Sequence, residues 1–128
     1  MSSTSALTGA TITAFSATAH PDLALHFYRD ILGLRLVTED DVSMVFNASG
    51  VALRLQIVDT VVPAPYTSLG WRVPDFELTV RRLAANGVKL QRFEGMDQDY
   101  LGVWTAPSGA RVGWFKDPDG NLLSVSDG

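Results

Sequence analysis

The chain has no cysteine among its 128 residues. That absence removes disulfide frameworks, thiolate metal centres and cysteine nucleophiles together. Histidine is scarce too: there are two, His20 and His26, and their spacing does not put both on one helical face at ligand distance. His20, at the end of a strand, reads as a surface side chain near a turn, and His26 as one on the solvent side of the helix. The ten Lys and Arg occur singly or in pairs among fourteen Asp and Glu, for a net charge of −4. A nucleic-acid partner requires a basic stripe to neutralise phosphates, and none is present. No apolar run approaches the ~18 residues of a membrane span. Met1 to Ala10 is rich in Ser, Thr and Ala, without a basic stretch or an apolar centre. It reads as a frayed arm rather than a secretion signal. These absences lead to the expectation of a cytoplasmic protein with no membrane and no nucleic-acid partner.

What is present is a globular balance, 46% hydrophobic and 19% charged, which fits one domain over residues 1–128. Residues 11–19 are small and β-branched and predict a strand. Residues 21–32 predict a helix with Leu25, Tyr28, Ile31 and Leu32 on one stripe, Pro21 at its start and Gly33 just past its end. Strands are predicted at 34–38, 42–48 and 51–59. The last alternates, with Val51, Leu53, Leu55 and Ile57 on one face and Ala52, Arg54, Gln56 and Val58 on the other. A connector holding Pro63 and Pro65 follows. Beyond it the order repeats: a strand at 67–73, a helix capped by Asp75 and running to about Asn86, and a strand at 88–93. A polar loop with Glu94, Asp97 and Asp99 then leads to a hairpin of 102–106 and 110–116, and a strand at 121–126 closes the series.

The repetition is visible in the letters. LGLRL at 32–36 lies over NGVKL at 86–90, and GVALRL at 50–55 lies over GNLLSV at 120–125. Two coincidences in the same order, each after a helix or a turn, indicate duplicated supersecondary units. The first spans 11–59 and the second 67–126.

Two stretches carry a family resemblance. HPDLALHFYRDILGLRLV at 20–37 is similar to the first-helix signature of the vicinal oxygen chelate superfamily, which includes glyoxalases, bleomycin and fosfomycin resistance proteins, and extradiol dioxygenases. WFKDPDGNLLSV at 114–125 resembles that superfamily's last hairpin. The resemblance implies an α+β fold of two βαβββ modules forming curled sheets around a cavity. It also implies a homodimer as the common state.

The same resemblance implies where metal ligands would stand: on the first and last strand of each module. Those positions here hold Thr13, Arg54, Ser68 and Ser124. A divalent ion wants imidazole, carboxylate or thiolate, whereas hydroxyls bind it poorly at neutral pH and a guanidinium repels it. The expectation is therefore no metal and no cofactor. By strand parity Arg54 and Gln56 point into the cavity, and so do Ser124 and Ser126. Phe15 shares the face of Thr13, and Trp71 faces the helix side. Trp104, with Trp114 and Tyr100, is placed at the cavity mouth. The expected ligand-binding set is thus Thr13, Phe15, Arg54, Gln56, Ser68, Trp104 and Ser124, around a small organic molecule that is aromatic or anionic. A glyoxalase-type lyase, isomerase or dioxygenase is the alternative.

Overall fold

The computed structural model describes residues 5–128, so the first four residues of the arm lie outside it. The rest of the arm makes an exposed turn closed by Ala10 N–H to the Leu7 carbonyl at 3.0 Å. The first module then runs β1 (Thr13–Thr18), α1 (Pro21–Leu25) continuing as a π-helical segment (His26–Ile31), β2 (Arg35–Glu39), β3 (Ser43–Ala48) and β4 (Val51–Ile57). The second runs β5 (Leu69–Arg72), α2 (Phe76–Ala85), β6 (Trp104–Thr105), β7 (Arg111–Lys116) and β8 (Leu122–Ser126). Each module forms one four-stranded mixed sheet, ordered β1-β4-β3-β2 and β5-β8-β7-β6. In both, the first strand pairs in parallel with the last. The two orders are the same, as the duplicated sequence requires. The duplication extends to backbone detail. Gly33 and Gly87, each just past a helix, adopt φ of 79° and 81°, and Gly50 and Gly120, each before a last strand, adopt 92° and 86°. Left-handed φ is tolerated at these turns because glycine has no Cβ.

One hydrophobic core serves both sheets. Met44, Phe46, Leu53 and Leu55 from the first sheet, and Phe115, Leu123 and Val125 from the second, are buried with Ala24, Phe27 and Tyr28 and with Phe76, Val80 and Leu83 of α2. Burying a Leu such as Leu53 or Leu55 contributes about 1.5–3 kcal/mol. The helix-covered faces of both sheets therefore look inward to shared packing. Their other faces stay open.

The first helix departs from expectation. Tyr28 is buried and Leu25, Ile31 and Leu32 are half-buried against the core, but Ala24 and Phe27 are buried as well. Past His26 the backbone widens, and Leu32 N–H reaches back five residues to the Phe27 carbonyl at 2.9 Å. That is π geometry. The broader buried arc lets Tyr28 lie on Phe46 of the first sheet, with ring centroids 5.8 Å apart, while Phe27 reaches Phe115 of the second at 6.3 Å.

The strand expected at 88–93 is absent. This segment runs beside β7 with one bond, Gln91 N–H to the Trp114 carbonyl at 2.6 Å. Two more of its groups, the Gln91 carbonyl and the Phe93 N–H, are taken by a side chain. The Gln98 amide donates to the carbonyls of Gln91 and Gly102, both at 2.8 Å, and its oxygen accepts Phe93 N–H at 2.8 Å. A carboxamide thus replaces a ladder. Close approach is also needed here, since a Cβ on Gly113 would stand 2.8 Å from the Leu90 side chain.

A polar knot ties the modules together. The buried Asp117 carboxylate accepts Tyr28 Oη–H at 2.6 Å, Asn121 Nδ2–H at 2.8 Å, and the N–H groups of Asp119 and Asn121, both at 2.9 Å. Asn121 Nδ2 also donates to the Ala17 carbonyl at 3.0 Å. Asp119 accepts Thr18 Oγ1–H at 2.5 Å and Ala19 N–H at 2.8 Å, and it meets His20 Nδ1 at 3.1 Å. Burial, then the neighbouring Asp117 charge, pushes the Tyr28 hydroxyl far above its usual range. Burial alone would raise Asp119. The Thr18, Ala19 and His20 hydrogen bonds outweigh it and hold the carboxyl below the usual carboxylate range. The DPDGN segment, legible in the sequence as a tight turn, is therefore also the fastening of one module to the other.

Candidate functional site

The open sheet faces collect the expected ligand-binding residues in two groups. On the first sheet, β1 and β4 pair with Thr13 beside Ala52 and Phe15 beside Arg54, and Ala17 lies beside Gln56. Because Leu53 and Leu55 are buried on the helix side, pleat alternation sends Thr13, Phe15, Arg54 and Gln56 to the open face. Phe15 is 54% exposed there, a large ring open to solvent over about half its surface. Arg54 lies next to Val45 on its other side, and its Nη1 donates to Ser43 Oγ at 2.9 Å. It forms no ion pair within 4 Å among the described residues. The carboxylate closest in role is Asp40, whose charge is held by the N–H groups of Val42 and Ser43, each at 2.9 Å. These bonds keep its carboxyl below the usual range, against a partial desolvation and with help from Arg54.

On the second sheet Gly70 pairs with Ser124 and Trp114 flanks Ser124 on the other side, so these share the open face with Ser126 and Val112. Ser68 leads into β5, its N–H bonded to the Leu122 carbonyl at 2.9 Å. Its hydroxyl adds a second bond to the same carbonyl at 3.1 Å. Gly70 leaves room for Ser124, whose Oγ would lie 2.7 Å from an added Cβ. Trp104 pairs with Val112, and its ring lies 6.0 Å from that of Trp114. Phe93 meets Trp114 edge-on at 5.5 Å, and Trp114 Nε1–H donates to Thr67 Oγ1 at 3.0 Å. The result is an aromatic wall of three rings with hydroxyls beside it. Two of those rings, Trp114 and Phe93, lie outside the expected set. Strand parity counted from Ser124 finds Trp114, but Phe93 has no such signal because it is in no ladder.

The two groups stand on separate sheets, and among the described residues no ring contact joins Phe15 to Trp104. Three cavities of about 300, 430 and 400 Å³ are lined by other residues. Tyr100 belongs to one of these, the groove along α2 with Phe76, Val80 and Leu101, and not to the aromatic wall as expected. Trp71 is half-buried against the core, on the helix side as parity indicates. His20 and His26 are exposed, each beside one carboxylate, Asp119 and Asp30 respectively.

The residues at the implied ligand positions do not fit a divalent metal. Thr13 and Arg54 are diagonal neighbours on the first open face, and Ser68 and Ser124 are diagonal neighbours on the second. They offer three hydroxyls and a guanidinium. No group of three His, Cys, Asp or Glu that could hold an ion occurs among the described residues. No helix among them is long and apolar enough to cross a membrane.

Two βαβββ modules with equivalent sheet orders, sharing one core, define the class of protein. The chain belongs to the glyoxalase/bleomycin resistance protein/dioxygenase superfamily, whose family model matches residues 13–125. Among curated relatives it is 30% identical over 111 residues to a metallothiol transferase FosB of Staphylococcus haemolyticus, a match covering 82% of this chain and 73% of the relative. Among solved structures, the fosfomycin resistance protein FosX of Listeria monocytogenes superposes with a TM-score of 0.73 at 14% identity, covering 91% of each chain. A lactoylglutathione lyase of Agrobacterium tumefaciens superposes with a TM-score of 0.71 at 20% identity, covering 91% of this chain and 92% of that one. At such identities these structures share the fold.

Proposed function

We propose that this chain is a metal-independent binding protein for a small organic molecule, aromatic or anionic, and that a second copy of the chain completes its site. The carrying observation is Arg54. It stands where the family resemblance implies a metal-binding carboxylate, on the open face, with the Ser43 hydroxyl as its hydrogen-bond partner. A guanidinium offers a planar fork of donors to a carboxylate, phosphoryl or enolate oxygen, but it cannot activate a bound water. Trp104, Trp114 and Phe93 supply a surface for the apolar part of a ligand. Each half of this chemistry is on a separate open face, and a homodimer that pairs such faces would bring the halves together.

The similarity to a metallothiol transferase favours a second reading, a metal-dependent enzyme of the transferase or glyoxalase type. The donor chemistry of Thr13, Arg54, Ser68 and Ser124 stands against it. Elemental analysis of purified protein separates the two: stoichiometric zinc, nickel, manganese or iron would overturn the metal-independent reading. Native mass spectrometry of protein from its own host is expected to show a retained organic ligand. Arg54→Ala is expected to weaken binding of that ligand by about 1–3 kcal/mol, the range for a lost charged hydrogen bond, with circular dichroism unchanged.

A further inference from the structure

Helix α2 borders two cavities whose charges are balanced differently. In the groove that holds Tyr100, Glu77 serves two cations, 4.0 Å from Arg81 and 3.5 Å from Arg111, and Asp127 meets Arg111 at 2.8 Å. Every arginine there has a carboxylate. The other cavity lies at the seam of the modules and encloses about 400 Å³. Ile31 and Leu34 line it from the first module, and Trp71 and Val73 from the second. All four are half-buried, so each keeps apolar surface that a ligand could cover. Arg72, at the end of β5, and Arg82, in the last turn of α2, line it as well. No Asp or Glu does. Of the three cavities, this one has cations and no carboxylate.

Neither guanidinium has a hydrogen-bond or ion-pair partner among the described residues. Of the chain's eight arginines, Arg29, Arg54, Arg81, Arg92 and Arg111 do have one. Two of the remaining three therefore border a single cavity. Each charge has an ordinary role when taken alone. A cation suits the C-terminal turn of a helix, and a charge on the edge strand β5 deters unwanted pairing. Neither role calls for the two to border the same apolar walls without a counter-charge. In such a concavity the low-dielectric wall strengthens the pull of a guanidinium on an oxyanion. Trp71 adds an aromatic surface, and its Nε1–H, unlike that of Trp114, has no acceptor among the described residues. The volume falls within the range of small-molecule pockets, about 300–1,000 Å³.

We infer that the seam cavity is a second ligand site, which takes a compact organic anion. The apolar body lies against Ile31, Leu34, Trp71 and Val73, and a carboxylate, sulfonate or phosphoryl head meets Arg72 and Arg82. This site shares no lining residue with the open-face set around Arg54 and Trp104, and it does not depend on the reading of those faces.

The probe is naphthalene-2-sulfonate, titrated into the isotope-labelled full chain and followed by its amide and indole N–H resonances, with affinity measured by calorimetry. The Trp71 indole and the Arg82 and Leu83 amides are expected to shift, while the Trp104 and Trp114 indoles stay in place. Naphthalene-2-sulfonamide has the same body without the charge. It is expected to bind about tenfold or more weakly, the lower end of what a lost charged hydrogen bond costs. Arg82→Gln should weaken sulfonate binding to a similar degree, and Arg72→Gln added to it should weaken binding further. Arg81→Gln, in the charge-balanced groove, should leave the affinity within about twofold, as for an ordinary surface change. Equal affinity for the sulfonate and the sulfonamide would overturn the inference. So would equal effects of Arg82→Gln and Arg81→Gln, or an unmoved Trp71 indole at millimolar probe. Shifts confined to Trp104 and Trp114, with binding lost in Arg54→Gln, would overturn it while favouring a ligand on the open faces. Shifts at Trp71 that persist in Arg54→Gln would support the seam site whatever becomes of the open-face reading.

Discussion

The first module's helix is held from outside and the second module's from within. Helix α1 has no side-chain N-cap, ends in π geometry, and carries Phe27 and Tyr28 into contacts with the other module. Helix α2 is a regular ten-residue helix, and its Asp75 cap accepts Leu78 N–H at 3.1 Å. The open faces differ in the same sense. The first carries Arg54, Gln56 and a half-exposed Phe15, and the second carries a wall of indoles beside serines. Duplication preserved the chain path, the turn glycines and the buried positions. The two copies diverged on their open faces and in how their helices begin. Local sequence therefore stabilises the second helix, while the first depends on tertiary contacts.

The sharpest way to break this comparison is to cut the knot. Asp117→Ala should destabilise the protein by about 3–5 kcal/mol in urea denaturation, because it leaves the Tyr28 hydroxyl, the Asn121 amide and two backbone N–H groups without their buried acceptor. A loss under 1 kcal/mol would show that apolar packing alone joins the modules. Tyr28→Phe removes one donor and should cost less, about 1–3 kcal/mol.

Asp119 adds a pH signature. Its folded-state pKa is depressed, so its contribution is present above the ordinary carboxylate range and is lost as pH falls through that range toward the folded value. Asp119→Asn should lower stability at pH 7, and its stability should fall less steeply below about pH 4 than the parent's. Parallel acid limbs for parent and variant would contradict the assignment.

The helix caps allow a finer test. Asp75→Ala should cost about 1 kcal/mol, while His20→Ala, at the equivalent position of α1, should cost less, because no side-chain cap is lost there. Smallest of all is Thr67→Val, which removes the partner of Trp114 Nε1. It should shift the tryptophan emission while changing stability by no more than about 0.5 kcal/mol. An unchanged spectrum would mean that the indole is not held by that bond.

Much of this architecture was legible before any coordinates. Alternation in β4 located Leu53 and Leu55 inside and Arg54 and Gln56 outside, because a strand's period of two is strict. Gly33, Gly50, Gly87 and Gly120 marked equivalent turns because a left-handed backbone favours glycine. The misses also have particular causes. Residues 88–93 have a strand's composition, yet the Gln98 side chain takes the bonds a ladder would use. Tyr100 was grouped with the tryptophans by its place in the chain, but the loop that carries it folds over α2.

By itself, then, the sequence determined the duplicated βαβββ plan, the inward and outward parity of its strands, and the unsuitability of Thr13, Arg54, Ser68 and Ser124 for a metal. These are properties of local backbone geometry and donor chemistry, which neighbours along the chain decide. Only the tertiary structure decided that Phe27 would reach Phe115 through a π turn, and that Asp117 and Asp119 would grip the first module. It also decided that the strands would form two sheets of four rather than one. Those outcomes depend on groups about a hundred residues distant coming within hydrogen-bond range, such as Thr18 and Asp119 at 2.5 Å. Distance along the chain carries no record of such a meeting.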